Sequence, residues 1–399
     1  METQKLKEVA LKLKERIEAG LKQDNLEIKC LPTLITPNTE KLNGQALTLD
    51  LGGTNYRIAR VDFVEGKPTI HPEGGWKREI IEMKNKGFTI NELHKAQADP
   101  INELKIKDVE DMPIGYCFSY ATESQPNGDA KVLDLGKGVT IDGMIGENAG
   151  EPLLTYLKEE KQLKFKGIKV INDTVASLFA GLAKSGFDAY IGLIVGTGTN
   201  MAALMQTDKI EKLTEEQKKL MGDKIPVNLE SGNFYPPYLT IYDDNVDANS
   251  ESKGEHRFEK AISGMYLGEI FKSIYPFDEF EEKFNAQTLT TMLSYPAVYK
   301  SEYVSTAQWL YDRSAQLVAA SLAGLILVLL AHNKDIKKVL LTAEGSLFWS
   351  ENRNGKNYSD MALDELHNLL REFGHNEVHV ELNKIDNANL IGSAIAALS

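Results

Sequence analysis

Hydrophobic and polar positions alternate along this chain with two periods, and the switches between them mark its elements. In residues 1–22, Leu6, Val9, Ala10, Leu13, Ile17 and Leu21 recur at helical spacing among charged positions, which predicts an amphipathic surface helix. Residues 30–43, broken by Pro32, Thr36, Pro37 and Asn38, read as a connector. Residues 46–51 and 56–63 are strand-like. A helix over 91–106, a strand over 114–119, a polar segment over 120–125, a turn at Pro126-Asn127-Gly128-Asp129 and an apolar run over 132–135 follow. Further on come a helix at 151–161, a buried strand at 168–171, an apolar helix at 175–184, and strands at 190–195 and 201–205. A loop is expected at 228–234, a polar surface insertion at 240–255 and one long helix at 257–273, with helices dominating to residue 333. The chain closes with a strand at 339–342, a helix at 360–373, a strand at 377–381 and a helix at 387–398. Strands alternating with helices indicate α/β layers.

Two of the strand pairs are joined by similar turns. Leu51-Gly52-Gly53-Thr54-Asn55 links the first pair and Gly196-Thr197-Gly198-Thr199-Asn200 the second, each ending in Gly-Thr-Asn. Glycine lets backbone N–H groups approach an anion closely. One such turn is compatible with an ordinary hairpin, whereas two facing each other would clamp a polyphosphate from both sides.

Length and composition narrow the class. At 399 residues, 42% hydrophobic and 26% charged, the chain suits two domains or one large α/β unit with a cleft. The net charge of −13 disfavours nucleic acid as a partner. Cys30 and Cys117 alone provide no disulfide framework and fit the cytoplasm. The N-terminus lacks the apolar core of a signal peptide. The longest apolar run, residues 317–331, is too short for a comfortable membrane span, so a buried helix and no membrane partner are expected.

No Walker A lysine motif, protein-kinase motif pair or His-Glu-x-x-His is present, and the seven histidines form no ligand pattern. Asp173 lies where an apolar strand stops and a helix begins, a place for an acid–base carboxylate and equally for a helix cap. Lys137, in Gly136-Lys137-Gly138, can bring an ammonium to an anion or serve as a solvated loop lysine.

The segments DLGGTNYR at 50–57, INDTVASL at 171–178, VGTGTN at 195–200 and FEKAISGMYLGE at 258–269, in this order and with the Asn228-x-Glu230 motif, resemble the hexokinases of the actin-like sugar-kinase superfamily. The resemblance spans most of the chain. It implies two actin-like, ribonuclease H-like α/β lobes around a central cleft. One lobe would comprise residues 35–170 joined by the helix at 385–399, the other residues 171–384 joined by 1–34. The implied activity is ATP-dependent phosphorylation of a hexose, glucose foremost, at its 6-hydroxyl. By resemblance, Asp173 is the general base and Lys137 stabilises the transferring phosphoryl. Ser119, Asn172, Asn200, Glu230 and Glu269, with Lys137 and Asp173, hold the sugar. Asp50, Gly52, Gly53, Thr54, Asn55, Thr197 and Gly198 meet the phosphates, Asp50 holds Mg²⁺ through water, and Gly345 and Ser346 form the adenosine-side motif. Carboxylates and amides suit sugar hydroxyls, and Mg²⁺ commonly keeps several waters.

The chain departs from the family pattern at several points. Ser119-Tyr120-Ala121-Thr122 stands where Ser-Phe-Pro-Cys is usual, Gly136 where threonine precedes the lysine, Ser231 where tryptophan follows Glu230, and Glu344 where aspartate precedes the adenosine glycine. A soluble, single-unit enzyme of bacterial type is expected. The rival readings are a sugar-binding regulator with weak catalysis and an actin-like filament ATPase.

Overall fold

The computed structural model describes residues 1–37, 42–103, 111–136 and 138–399, with the side chains of 102 and 103 excepted. Asn38 of the connector, residues 104–106 of the expected helix and Lys137 lie outside the described residues.

Two large sheets dominate. One runs in the order Leu31–Pro32, Lys224–Asn228, Thr199–Gln206, Ala189–Val195, Lys338–Glu344, His379–Asn383; the other in the order Lys67–Glu79, Asn55–Val64, Gly44–Gly52, Pro113–Phe118, Gly167–Ile171. Leaving aside Leu31–Pro32, they match strand for strand. In each, a central strand pairs antiparallel with its successor across a glycine turn, the successor pairs antiparallel with a third strand, and two later strands add in parallel on the other side. The two Gly-Thr-Asn turns thus occupy equivalent places in a repeated sheet. Parallel strands are buried on both faces, which is why residues 168–171 and 190–195 read as nearly unbroken apolar runs.

Two helices lie between the sheets. Asp173–Leu182 packs on Ala189–Val195, Thr199–Gln206 and Lys338–Glu344, while Ala388–Leu398 packs on Gly44–Gly52, Pro113–Phe118 and Gly167–Ile171, and the helices pack on each other. Their apolar faces, including Val175, Phe179, Leu390 and Ile395, share one core. The approach is close enough that a Cβ on Gly392 would fall 1.8 Å from the Ala176 carbonyl oxygen. The N-terminal helix, Thr3–Gly20, buries Leu6, Val9, Ala10, Leu13 and Ile17 against the helix Ser301–His332. It is amphipathic as its spacing predicts, and its apolar face is core.

Several expectations need correction. The polar stretch 240–255 is not a surface insertion: the helix Ile241–Ala248 turns Asp243 and Asp247 inward, where Arg313 pairs with Asp243 at 2.8 Å and Lys260 with Asp247 at 2.7 Å. Residues 257–273 form two helices, Arg257–Ile262 and Gly264–Ile274, because extended Ser263 separates them. The polar segment 120–125 contains the strand Ala121–Ser124, which pairs with Ala130–Asp134 in a hairpin. Residue 228 ends a strand, Lys224–Asn228, rather than opening a loop, and the strand Lys67–Glu79 has too little alternation to be seen in sequence. The run at 317–331 belongs to a 32-residue helix that is long and apolar enough to cross a membrane, yet 89% of its most apolar window is buried inside the protein. Burial, not shortness, accounts for its composition.

Candidate active site

Asp173 is the first residue of the helix Asp173–Leu182, immediately after the strand Gly167–Ile171. The cap is Asn172, whose Oδ1 accepts the Thr174 N–H at 2.9 Å; Asp173 Oδ1 accepts the same N–H at 2.8 Å. The cap therefore falls on Asn172, and Asp173 follows it as the first helical residue. Helix N-terminal N–H groups favour an anion there.

A connected array of amides and carboxylates forms beside it. Asn200 Nδ2 donates to Asn228 Oδ1 at 2.7 Å, and Asn228 Nδ2 donates to Glu230 Oε1 at 2.7 Å. Asn200 Oδ1 accepts the N–H groups of Met201 and Ser231, at 2.8 and 3.1 Å. Each side chain is held by the next, with Glu230 presented from a left-handed backbone conformation (φ 55°). Asn172 and Asn228 line one small space with Thr122 and Ser124, from the hairpin that follows Ser119. Ser119 itself is buried, its N–H donating to the Leu51 carbonyl at 3.0 Å, which sets the expected sugar loop against the first glycine turn.

Glu269 is not part of this array. It pairs with Lys272 at 3.1 Å, is about half exposed, and lines a separate cavity of about 570 Å³ with Gly196, Thr197 and Ser346. The carboxylate beside the array is Glu259, whose Oε2 accepts the Thr199 N–H at 3.0 Å and lies where a Cβ on Gly198 would come within 2.5 Å. Both glutamates belong to the same string, 258–269. Reading that string as one helix hid the break at Ser263, which puts Glu259 and Glu269 on different helices with different outlooks.

The second glycine turn meets the later glycine motif directly. A Cβ on Gly345 would fall 2.1 Å from the Val195 carbonyl oxygen, and Gly345 takes φ +114°, a conformation natural only to glycine. Thr197 and Ser346, both expected on the nucleotide side, are exposed and share the 570 Å³ cavity.

The first turn carries Asp50 at one shoulder. Arg57, on the facing strand, donates through Nε to Asp50 Oδ2 at 2.7 Å and through Nη2 to the same oxygen, and reaches Asn387 Oδ1 at 3.3 Å. Glu344 enters this cluster from the other sheet, its carboxyl accepting the Ala388 N–H; burial pushes it up to about 7, with Arg57 pulling the other way and Asp50 and Asp173 adding to the rise. Burial also raises the Cys117 thiol, which donates to Asp50. Thr54 differs from expectation: its hydroxyl donates to Glu79 Oε1 at 3.0 Å, so its donor is committed to the neighbouring strand. Asn55 is exposed, and the turn is made by Gly53 and Thr54 rather than by Gly52 and Gly53, because Gly52 ends its strand opposite Asn55. Asp50, buried and paired with Arg57, places a carboxylate beside the turn that fits contact with a magnesium ion through its waters rather than direct ligation, and among the described residues no group of three or more acidic, histidine or cysteine ligands forms a dehydrated cage.

Comparison with known proteins places the chain in a family. Hexokinase family models match residues 1–182 and 190–308. The hexokinase of Schistosoma mansoni is 32% identical over 279 residues, covering 67% of this chain and 60% of the relative; hexokinase-2 of Homo sapiens is 33% identical over 296 residues, covering 67% and 30%. The chain thus spans about a third to three fifths of the length of these relatives. Among solved structures, the Schistosoma mansoni hexokinase complexed with glucose superposes with a TM-score of 0.81 at 24% identity, over 100% of this chain and 96% of that one. A ROK hexokinase from Thermus thermophilus superposes with a TM-score of 0.53 at 16% identity, over 89% and 98%. With both halves matched and both lobes built on the same sheet, the chain belongs to the hexokinase family.

Proposed function

We propose that this protein transfers the γ-phosphoryl group of ATP to the 6-hydroxyl of a hexose, glucose foremost, releasing ADP and hexose 6-phosphate. The observation that carries this reading is the hydrogen-bonded array Asn200–Asn228–Glu230, with Glu259 at its edge, placed next to a carboxylate at a helix start. Amides and carboxylates linked in this way present alternating donors and acceptors to a polyol, and an array built for hydroxyls rejects analogues that lack them.

In this reading Asp173 accepts the proton of the 6-hydroxyl as that oxygen forms its bond to the γ-phosphorus and the bond from phosphorus to the β,γ-bridging oxygen breaks. Asn172, Asn200, Glu230, Glu259 and Ser119 orient the sugar. Thr197, Gly198, Gly345 and Ser346 hold the nucleotide from one lobe, the turn at Gly52 to Asn55 from the other. Lys137, by resemblance, offers a cation to the transferring group. Magnesium, when bound through water to Asp50, would neutralise phosphate charge. The relative solved with glucose supports the choice of sugar.

A coupled assay of ADP release with and without glucose tests the proposal, and strong sugar dependence is expected. Release indifferent to sugar would point to a filament-type ATPase. Sugar binding without release would point to a regulator.

A further inference from the structure

The loop after the strand Pro113–Phe118 touches the first glycine turn at three points. The Ser119 N–H donates to the Leu51 carbonyl, Ser119 Oγ lies 3.2 Å from where a Cβ on Gly52 would stand, and the Tyr120 hydroxyl donates to the Gly53 carbonyl at 2.7 Å. The third contact differs in kind from the others, because it acts on the peptide that joins Gly53 to Thr54. That peptide is planar and trans, so its C=O and N–H point to opposite sides. Holding the Gly53 carbonyl toward Tyr120 therefore turns the Thr54 N–H away from the loop.

This plane needs holding. Gly53 takes φ +59°, and a Cβ there would meet nothing within 4 Å, so neither a side chain nor a packed neighbour restrains the residue. Turning over the peptide between Gly53 and Thr54 is opposed by Thr54, which would have to take a positive φ, and the Tyr120 hydrogen bond adds to that opposition. Beyond the plane, Thr54 is anchored on the outer strand, its carbonyl accepting the Ile80 N–H at 2.7 Å and its hydroxyl donating to Glu79. With that hydroxyl occupied, the main-chain N–H is the donor through which residue 54 can meet a phosphate.

Tyr120 is well placed to act as the lock. Its ring is buried and packs on Phe118 at 4.8 Å between centroids, so the hydroxyl is held rigidly under the turn. The family pattern has phenylalanine at this position, which would keep the ring packing and lack the hydroxyl.

We propose that Tyr120 is a positioning residue for nucleotide phosphate: its hydroxyl fixes the Gly53–Thr54 peptide plane and thereby aims the Thr54 N–H. The consequence for ATP rests on the hexokinase reading above; the lock on the peptide does not.

The test is Tyr120→Phe in the full chain, which removes one oxygen and keeps the ring. The KM for ATP is expected to rise about three- to tenfold, the range one neutral hydrogen bond supports, while glucose affinity by calorimetry stays within about twofold. An unchanged KM for ATP overturns the proposal. So does a parallel loss of ATP and glucose affinity with a lowered melting temperature, because a merely structural tyrosine would give that. A second measurement needs no activity: selective ¹⁵N-threonine labelling should show the Thr54 amide signal shifted, broadened or doubled in the variant, with the Thr174 and Thr199 signals unmoved. An unmoved Thr54 signal overturns the lock. Absence of sugar-dependent ADP release by the unsubstituted protein would instead overturn the hexokinase reading and with it the nucleotide consequence, leaving the labelling result to decide the lock.

Discussion

Glu259 Oε2 and the backbone N–H of Thr199 meet at 3.0 Å, joining the short helix Arg257–Ile262 to the turn between two strands of the larger sheet. A carboxylate fixed in this way can offer its remaining lone pairs to a ligand hydroxyl without first being ordered. Glu259→Gln should raise the glucose dissociation constant by about tenfold or more, the worth of a hydrogen bond to a charged group. Glu269→Gln should leave that constant within about twofold and act, if at all, on the KM for ATP. Calorimetry with glucose on the two variants separates them; equal losses would return Glu269 to the sugar site.

Asp173→Ala should leave sugar binding largely in place and reduce turnover by about 10² to 10⁴, the usual contribution of a general base. Asn172 continues to cap the helix in that variant, so a stability loss below about 1 kcal/mol is expected. Stopped-flow or coupled turnover measurements alongside thermal unfolding distinguish a catalytic from a structural loss. Turnover close to that of the unsubstituted protein would remove Asp173 from the mechanism.

Glu344 gives a pH signature of defined sign. Its carboxyl titrates at about 7 in the folded chain against 4.5 ordinarily. Between these values the folded protein keeps a proton that the unfolded chain has released, so stability falls as pH rises through the window and the full penalty stands above about 7. Glu344→Gln keeps an acceptor for the Ala388 N–H and removes the titration. The variant should therefore gain on the unsubstituted protein from pH 4.5 to 7 and hold a constant lead above, of roughly 3 kcal/mol at most. Denaturant titrations across that range check it, and a lead that shrinks with rising pH would contradict the burial of this carboxyl.

The two glycine turns lie in different sheets, so closing the sheets on a bound polyphosphate would let both turns hold it and would keep water from the phosphoryl group. Small-angle scattering with saturating glucose should show a smaller radius of gyration than without. An unchanged radius would argue against closure.

Much of this was legible in the chain before any coordinates. The apolar runs at 168–171, 190–195 and 339–342 lie within strands because parallel strands are buried on both faces, and their sequences say so locally. The helix faces of Leu6 to Ile17 and the glycine-containing turns after Leu51 and Val195 are likewise local facts of spacing and backbone freedom, although the first turn falls on Gly53-Thr54, one residue later than Gly52-Gly53. What sequence could not decide were relationships between segments distant in the chain. Glu259 rather than Glu269 stands beside the Asn200–Asn228–Glu230 array because Ser263 breaks a helix that composition alone would continue. Asp243 and Asp247 are core residues because Arg313, 70 positions on, and Lys260, 13 positions on, reach them, and no pattern within residues 240–255 announces either partner. Thr54 loses its hydroxyl to Glu79, and Tyr120 gains the Gly53 carbonyl, for the same reason. Periodicity and turn chemistry are set by near neighbours, so the sequence determined the elements and the places where chemistry could occur; hydrogen-bond and ion partners are set by packing, so only the tertiary structure decided which side chains stand together there.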